Sequence, residues 1–140
     1  MLLKKIKLMI QIPIYILVDA DPHGIEIMCT YKYGSLAMSH NSENLAVPSM
    51  IWLGIFPSEI DSLDITTIPM NERDEKKVTD MMKRPYLNPL LKSELQILLN
   101  RKVKAEIEGI YHFSINYLIN EYIPNKIRAT ESLKAIQLVL

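Results

Sequence analysis

The reading of the fold turns on "YILVDADPHGIEIM", residues 15–28. Tyr15, Ile16, Leu17 and Val18 run straight into Asp19. A second aspartate, Asp21, follows one residue later, and then Pro22-His23-Gly24 breaks the run. A near-continuous apolar run of this kind reads as a buried strand of the parallel type, which needs no polar face. Pro22 suits the first turn of a helix, where a missing N–H leaves nothing unsatisfied. Gly34 is a natural stop, so a helix is expected from Pro22 to about Tyr33. Strand, turn and helix in this order open an α/β unit.

Side chains at i and i+2 of a strand share a face, so Asp19 and Asp21 can converge on one point. They stand at the carboxyl end of the strand, where open α/β sheets place their ligands, and Pro22 keeps Asp21 extended. Two close carboxylates repel unless something positive neutralises them. Mg²⁺ does so with a few carboxylates and several waters, which makes Asp19 and Asp21 candidate metal ligands. The same spacing allows Asp21 to be simply the N-cap of the following helix. An aspartyl-phosphatase nucleophile is a third use of Asp-x-Asp, but those sites want Thr or Val where His23 stands here. His23 reads either as a ligand or as a solvent-facing residue of the helix start. Glu26 reads as an exposed first-turn acid favoured by the helix dipole.

Outward from this centre, Leu2, Leu3, Ile6, Met9 and Ile10 recur at helical spacing with lysines opposite, so residues 2–10 are expected to be an amphipathic helix. "SLAMSH" (35–40) alternates weakly, as a short strand would. "MIWLGIF" (50–56) is a second apolar strand closed by Pro57-Ser58. Asn71 with Asp74 three residues on predicts a capped helix through Lys83, ended by "RPY". Asn88-Pro89 predicts another helix, to about Arg101. Two further helices are expected around 102–110 and 114–123, the second ended by Pro124.

The 140 residues are enough for one domain with a real core, at 49% hydrophobic and 23% charged. A single cysteine, Cys29, excludes an internal disulfide and a thiolate zinc cage, and favours a reducing compartment. No stretch near the N-terminus approaches the ~20 apolar residues a spanning helix needs. Sixteen basic and sixteen acidic residues cancel, so the chain lacks the basic excess usual for autonomous DNA binders. The charges are segregated, with ten acids against two bases in residues 19–75 and eleven bases against six acids beyond. An acidic centre beside basic flanks suits a metal site near a polyanion.

"LVDADPHGIEIMCTYKYGS" (17–35) resembles the metal-binding segment of the Toprim domain in the topoisomerase VI A-subunit family. It is most like the eukaryotic branch, whose members make meiotic DNA double-strand breaks. "NLAVPSMIWLGIFPSEI" (44–60), "KRPYL" (83–87), "KAEIEG" (104–109) and "YIPNKI" (122–127) follow in that family's order. The resemblance implies an α/β Toprim fold, Rossmann-like with a mostly parallel sheet, followed by a helical C-terminal part. It makes residues 1–128 a partial Toprim domain and 129–140 a divergent tail. It implies Mg²⁺ held by Asp19 and Asp21, duplex DNA as substrate, a homodimer, a topoisomerase VI B-like partner, and a nuclear location without membrane. Chemistry in the family is type IIB transesterification, in which a tyrosine becomes joined to a 5′ end. That tyrosine and a further acidic ligand lie upstream in relatives, so the chain is expected to be N-terminally truncated, without a catalytic residue of its own and inactive alone. Lys104 and Glu106 belong either to the site or to a surface helix with i,i+4 pairing. Two other readings stand beside this one: a Toprim primase or nuclease that needs no tyrosine, and a non-catalytic DNA-binding or dimerisation fragment.

Overall fold

The computed structural model describes residues 12–34 and 46–139. The helix expected over 2–10 and the strand expected over 35–40 lie outside the described residues. The two apolar runs form β1 (Tyr15–Leu17) and β2 (Ile51–Gly54) and pair in parallel, as continuous apolar strands should. Tyr15 faces Ile51 and Ile16 faces Trp52, after which a one-residue shift sets Leu17 opposite Gly54. Between them α1 (Pro22–Tyr33) starts and stops where Pro22 and Gly34 predict, with Asp21 as its N-cap.

A short 3₁₀ turn, Pro57–Glu59, follows β2 and leads into β3 (Ile65–Pro69). Next come α2 (Glu72–Met81) and α3 (Pro89–Arg101), each opened by an asparagine cap. Asn71 and Asp74 close a full capping box: the Asp74 N–H donates to Asn71 Oδ1 at 2.8 Å, and the Asn71 N–H donates to Asp74 Oδ2 at 3.0 Å.

The segment after α3 departs from expectation. Residues 103–110 are a strand, β4 (Val103–Ile110), antiparallel to β3, and not a helix. Lys102 makes the reversal in the left-handed region at φ 56°, its N–H still donating to Leu98 O at 2.8 Å. Pro124 does not end a helix either. One helical run joins α4 (Ile115–Tyr117), a π-turn (Leu118–Tyr122) and α5 (Ile123–Val139). Pro124 follows the π-turn directly, where the Ile123 N–H bonds back to Leu118 O with the wider π spacing, and the run continues through it. Among the described residues, no helix is long and apolar enough to cross a membrane.

Two apolar clusters hold these elements. One joins α1, β2, α2 and α3 through Ile25, Met28, Cys29, Trp52, Val78, Met81, Leu91, Leu95 and Leu98. The other joins the end of β1 to β3, β4 and the π-turn through Ala20, Ile55, Ile60, Ile65, Ala105, Ile110 and Tyr122. Glu26 is not the free first-turn acid that its position suggests. Arg84 clamps it with two hydrogen bonds, Nη1 to Oε1 at 2.8 Å and Nη2 to Oε2 at 2.7 Å, and also donates to the Tyr86 hydroxyl at 2.7 Å. Tyr86 stacks on Tyr33 with ring centroids 4.5 Å apart. The "KRPYL" segment thereby fastens α1 to the α2–α3 connection.

Replacing Arg84 by Met is expected to lower the unfolding free energy by about 2 kcal/mol, since Glu26 is left partly buried without its cation. Urea denaturation measures it, and an unchanged midpoint would count against the clamp. Burial, with Glu26 adding to it, pushes the Cys29 thiol up to about 11. The neutral thiol therefore contributes stability that is fully present below its ordinary value and is lost as pH rises through about 11. At pH 8 its labelling by a disulfide reagent is expected to be about 100-fold slower in the native chain than in urea, following the thiolate fraction.

Candidate metal centre

The site is built where β1 runs on past its last paired residue. The parallel ladder continues through Val18, whose N–H donates to Gly54 O at 2.8 Å and whose carbonyl accepts from Ile55 N at 2.6 Å. Two residues later the chain meets β4. Ala20 and Ala105 form an antiparallel bridge, with the Ala105 N–H donating to Ala20 O at 2.9 Å. Both alanines are buried, while Asp19 and Asp21 on either side of Ala20 remain partly exposed. The alternation expected of an extended chain is therefore present, with the small residue inward and both acids outward.

Each aspartate is held by a backbone N–H. Asp19 Oδ1 accepts from Ile107 N on β4 at 2.8 Å. Asp21 Oδ1 accepts from His23 N at 2.7 Å, so the capping role is real. The cap uses one oxygen only. Asp21 Oδ2 lies 3.6 Å from Lys104 Nζ, so the same carboxylate also takes part in an electrostatic cluster. Gly24 makes the close approach of α1 possible, since a Cβ there would stand 3.1 Å from Asp19 O and 3.3 Å from Asp19 N.

The cluster extends further than the sequence suggested. Asp74, 1% exposed, places Oδ2 at 3.0 Å from Lys104 Nζ and Oδ1 at 3.5 Å from His23 Nε2. Burial disfavours its ionised form, but the Asn71 N–H and the Lys104 ammonium outweigh that and hold its carboxyl below the usual range. Asp74 and then Asp21 raise Lys104 above its ordinary value, against the opposing effect of burial. Asp19 behaves in the opposite way. Burial raises its carboxyl, and Glu108 and Asp21 add to the rise, although the Ile107 N–H opposes it.

Ligand atoms of Asp21, His23 and Asp74 lie within 4.8 Å of one another, and Asp19 stands outside this set. Among the described residues Asp19 has no ion pair. The donors suit a hard cation: carboxylate oxygens at the carboxyl end of a parallel strand, one of them partly buried beside two further acids. Glu106 is exposed, and its carboxylate makes no hydrogen bond or ion pair among the described residues. Lys104 is no surface-helix residue. It sits on β4 with its ammonium between two acids. Asp74 was legible only as a capping residue. The missed signal was alternation: Val103, Ala105 and Ile107 against Lys104, Glu106 and Glu108 is the period of a strand.

Comparison with known proteins gives the site its context. The sequence profile of a family described as the Toprim domain of Spo11 and of the topoisomerase 6 A-subunit matches residues 1–127. The mouse meiotic recombination protein SPO11 is 46% identical over 133 residues, which is 91% of this chain and 34% of that protein. Its human counterpart is 42% identical over 133 residues, with the same shares covered. The A-subunit of DNA topoisomerase 6 from Arabidopsis thaliana is 38% identical over 131 residues, 90% of this chain and 31% of that protein. The chain thus spans about a third of the length of the curated relatives it matches. With a strand that delivers two aspartates to the start of a proline-initiated helix, and with a profile that covers nearly all of its length, the chain belongs to the Toprim family of Spo11 and the topoisomerase 6 A-subunit.

Proposed function

We propose that this chain is the Mg²⁺-binding part of a nuclear protein that makes meiotic double-strand breaks in DNA by transesterification, with Asp19 and Asp21 holding the ion. One observation supports this above the others. Asp19 is a partly buried carboxyl whose ionised form burial, Glu108 and Asp21 all disfavour, and no cation among the described residues pairs with it. A divalent cation relieves that repulsion, which the Ile107 N–H opposes without overcoming it. When bound, Mg²⁺ supplies positive charge that stabilises the charge developing on the phosphate oxygens of the strand being cut.

The chain's own residues prepare the site. The Ile107 N–H fixes one oxygen of Asp19, and the His23 N–H fixes one oxygen of Asp21. Each carboxylate then keeps a second oxygen in a set direction, so little side-chain freedom is lost on binding. The reading assigns the attacking tyrosine to the part of the relatives' length that this chain does not span. Four of its own tyrosines are engaged elsewhere: Tyr15 with Glu131, Tyr33 and Tyr86 with each other, and Tyr122 buried against Glu59. Duplex DNA as substrate, a second copy of the chain and a topoisomerase 6 B-like partner belong to the same reading. A chain of zero net charge relies on such partners for much of its grip on a polyanion.

Titration with Mn²⁺ followed by paramagnetic resonance is expected to show binding that Asp19→Asn and Asp21→Asn each weaken about tenfold or more. Equal binding in all three chains would overturn the assignment and favour a non-catalytic module. Alone, the chain is expected to form no covalent adduct with DNA. In a full-length protein of this family that carries the tyrosine, either substitution is expected to reduce breaks about 10²-fold or more, the scale of losing one strong electrostatic stabiliser. Gly24→Val is expected to destabilise the chain by about 1–3 kcal/mol through overpacking against Asp19, and to weaken Mn²⁺ binding as well. Normal Mn²⁺ binding in a folded Gly24→Val chain would show that this close approach does not position the site.

A further inference from the structure

The side chains around Lys104 form a closed circuit. Its ammonium lies 3.0 Å from Asp74 Oδ2 and 3.6 Å from Asp21 Oδ2. The other oxygen of Asp74 faces His23 Nε2 at 3.5 Å, and the other oxygen of Asp21 accepts from the His23 N–H at 2.7 Å. Asp21, His23 and Asp74 present two oxygens and a nitrogen within 4.8 Å of one another, which is the spacing of a cation site. Paired-metal centres that cut phosphodiesters hold their ions about 3.5–4 Å apart and share a carboxylate between them. Asp21 belongs to this cluster, and its charge also acts on Asp19, which stands outside it.

We propose that Lys104 makes this a one-metal centre, its ammonium filling the position between Asp21 and Asp74 that a second divalent cation would otherwise take. The inference rests on the reading of Asp19 and Asp21 as Mg²⁺ ligands and sets how many ions they serve. Three features keep the ammonium in place. Lys104 directly precedes Ala105, whose N–H is bonded to Ala20 O, so its backbone is tied to the strand that carries both aspartates. Its side chain is only 19% exposed, and that of Asp74 only 2%. Removing the ammonium would leave a buried carboxylate with the Asn71 N–H and the start of α2 but no paired lysine to offset its charge, a costly state. A second dication entering beside a fixed ammonium would meet repulsion over a few ångströms in a poorly screened site. Lys104 thus supplies one positive charge permanently, and the exchangeable ion supplies the rest.

The test counts ions. Mn²⁺ titration of the unaltered chain is expected to give one bound ion with an isolated six-line resonance, weakened about tenfold or more in Asp19→Asn. Lys104→Met is expected to bind two, with a spectrum broadened by coupling between neighbouring ions. Adding His23→Ala should return the count to one, and Lys104→Arg should stay at one throughout. If circular dichroism shows Lys104→Met unfolded, Lys104→Gln takes its place, because an amide can still donate to Asp74. A folded Lys104→Met or Lys104→Gln chain that binds only one ion overturns this inference and leaves the Mg²⁺ reading standing. A coupled pair in the unaltered chain also overturns it, whatever the variants do. No Mn²⁺ bound by the unaltered chain overturns the Mg²⁺ reading, and this inference with it.

Discussion

The contact on which the site depends is small: one antiparallel bridge between two buried alanines, Ala20 and Ala105. It brings β4 against the residue between the two aspartates, and three consequences follow from the strand's period alone. Lys104, one residue before Ala105, is delivered to Asp21 and Asp74. Ile107, two residues after, presents its N–H to Asp19. Glu108, one residue further on, adds the negative charge that helps raise the Asp19 carboxyl. Nothing larger than alanine is found at either position of the bridge, and the backbones approach to a 2.9 Å hydrogen bond. The parallel pair β1–β2 directs the aspartates, but β4 decides what they face.

Electrostatically the centre has two halves that are treated differently. Around Asp74 the charge is balanced within the protein by an N-cap N–H, a lysine ammonium and the N-terminal end of α2, all of which favour the anion. Around Asp19 it is not. There one N–H opposes burial and two neighbouring acids, and burial and the acids prevail. A protein that needed these carboxylates only for folding would gain by neutralising both halves. An uncompensated acid next to a compensated one fits a site kept ready for a cation that comes and goes.

Much of this was legible in the sequence, and the limits were physical. Pro22, Gly34, Asn71 and Asn88 mark helix ends through caps and fixed φ, which are local effects, and the observed α1, α2 and α3 begin where those residues say. The parallel character of β1 and β2 followed from apolar runs without alternation. β4 was misread because neither glycine nor proline separates it from α3. The reversal rests on Lys102 in a left-handed conformation that its side chain does not advertise. β3 went unread because four of its five residues are exposed, which leaves no apolar pattern to see. The Lys104–Asp74 contact joins residues about thirty positions apart, and the β3–β4 ladder, which pairs Ile68 with Lys104 just before the Asn71 cap, makes them neighbours.

The C-terminal helical run ties back to the centre through the end of β2. The Tyr122 hydroxyl donates to the Glu59 carboxylate, at 3.2 Å to Oε1, and Lys126 Nζ lies 3.2 Å from Glu59 Oε2 and 4.3 Å from the centroid of the Phe56 ring. A Cβ on Gly54 would collide with that same hydroxyl, so the π-turn is seated directly on the end of β2. Gly54 in turn accepts the Val18 N–H one residue before Asp19. Tyr122 and Lys126 both belong to "YIPNKI", so this segment is the strut that fixes the strand carrying the aspartates. Burial raises the Tyr122 hydroxyl, and the Glu59 charge adds to the rise, so the strut keeps its proton through the physiological range. The helix α5, which carries Lys126, continues past residue 127 without a break. Thus the segment in which the family profile ends and the residues that follow it to Val139 belong to one helix, seated at its start on the end of β2, the partner of the strand that leads to Asp19 and Asp21.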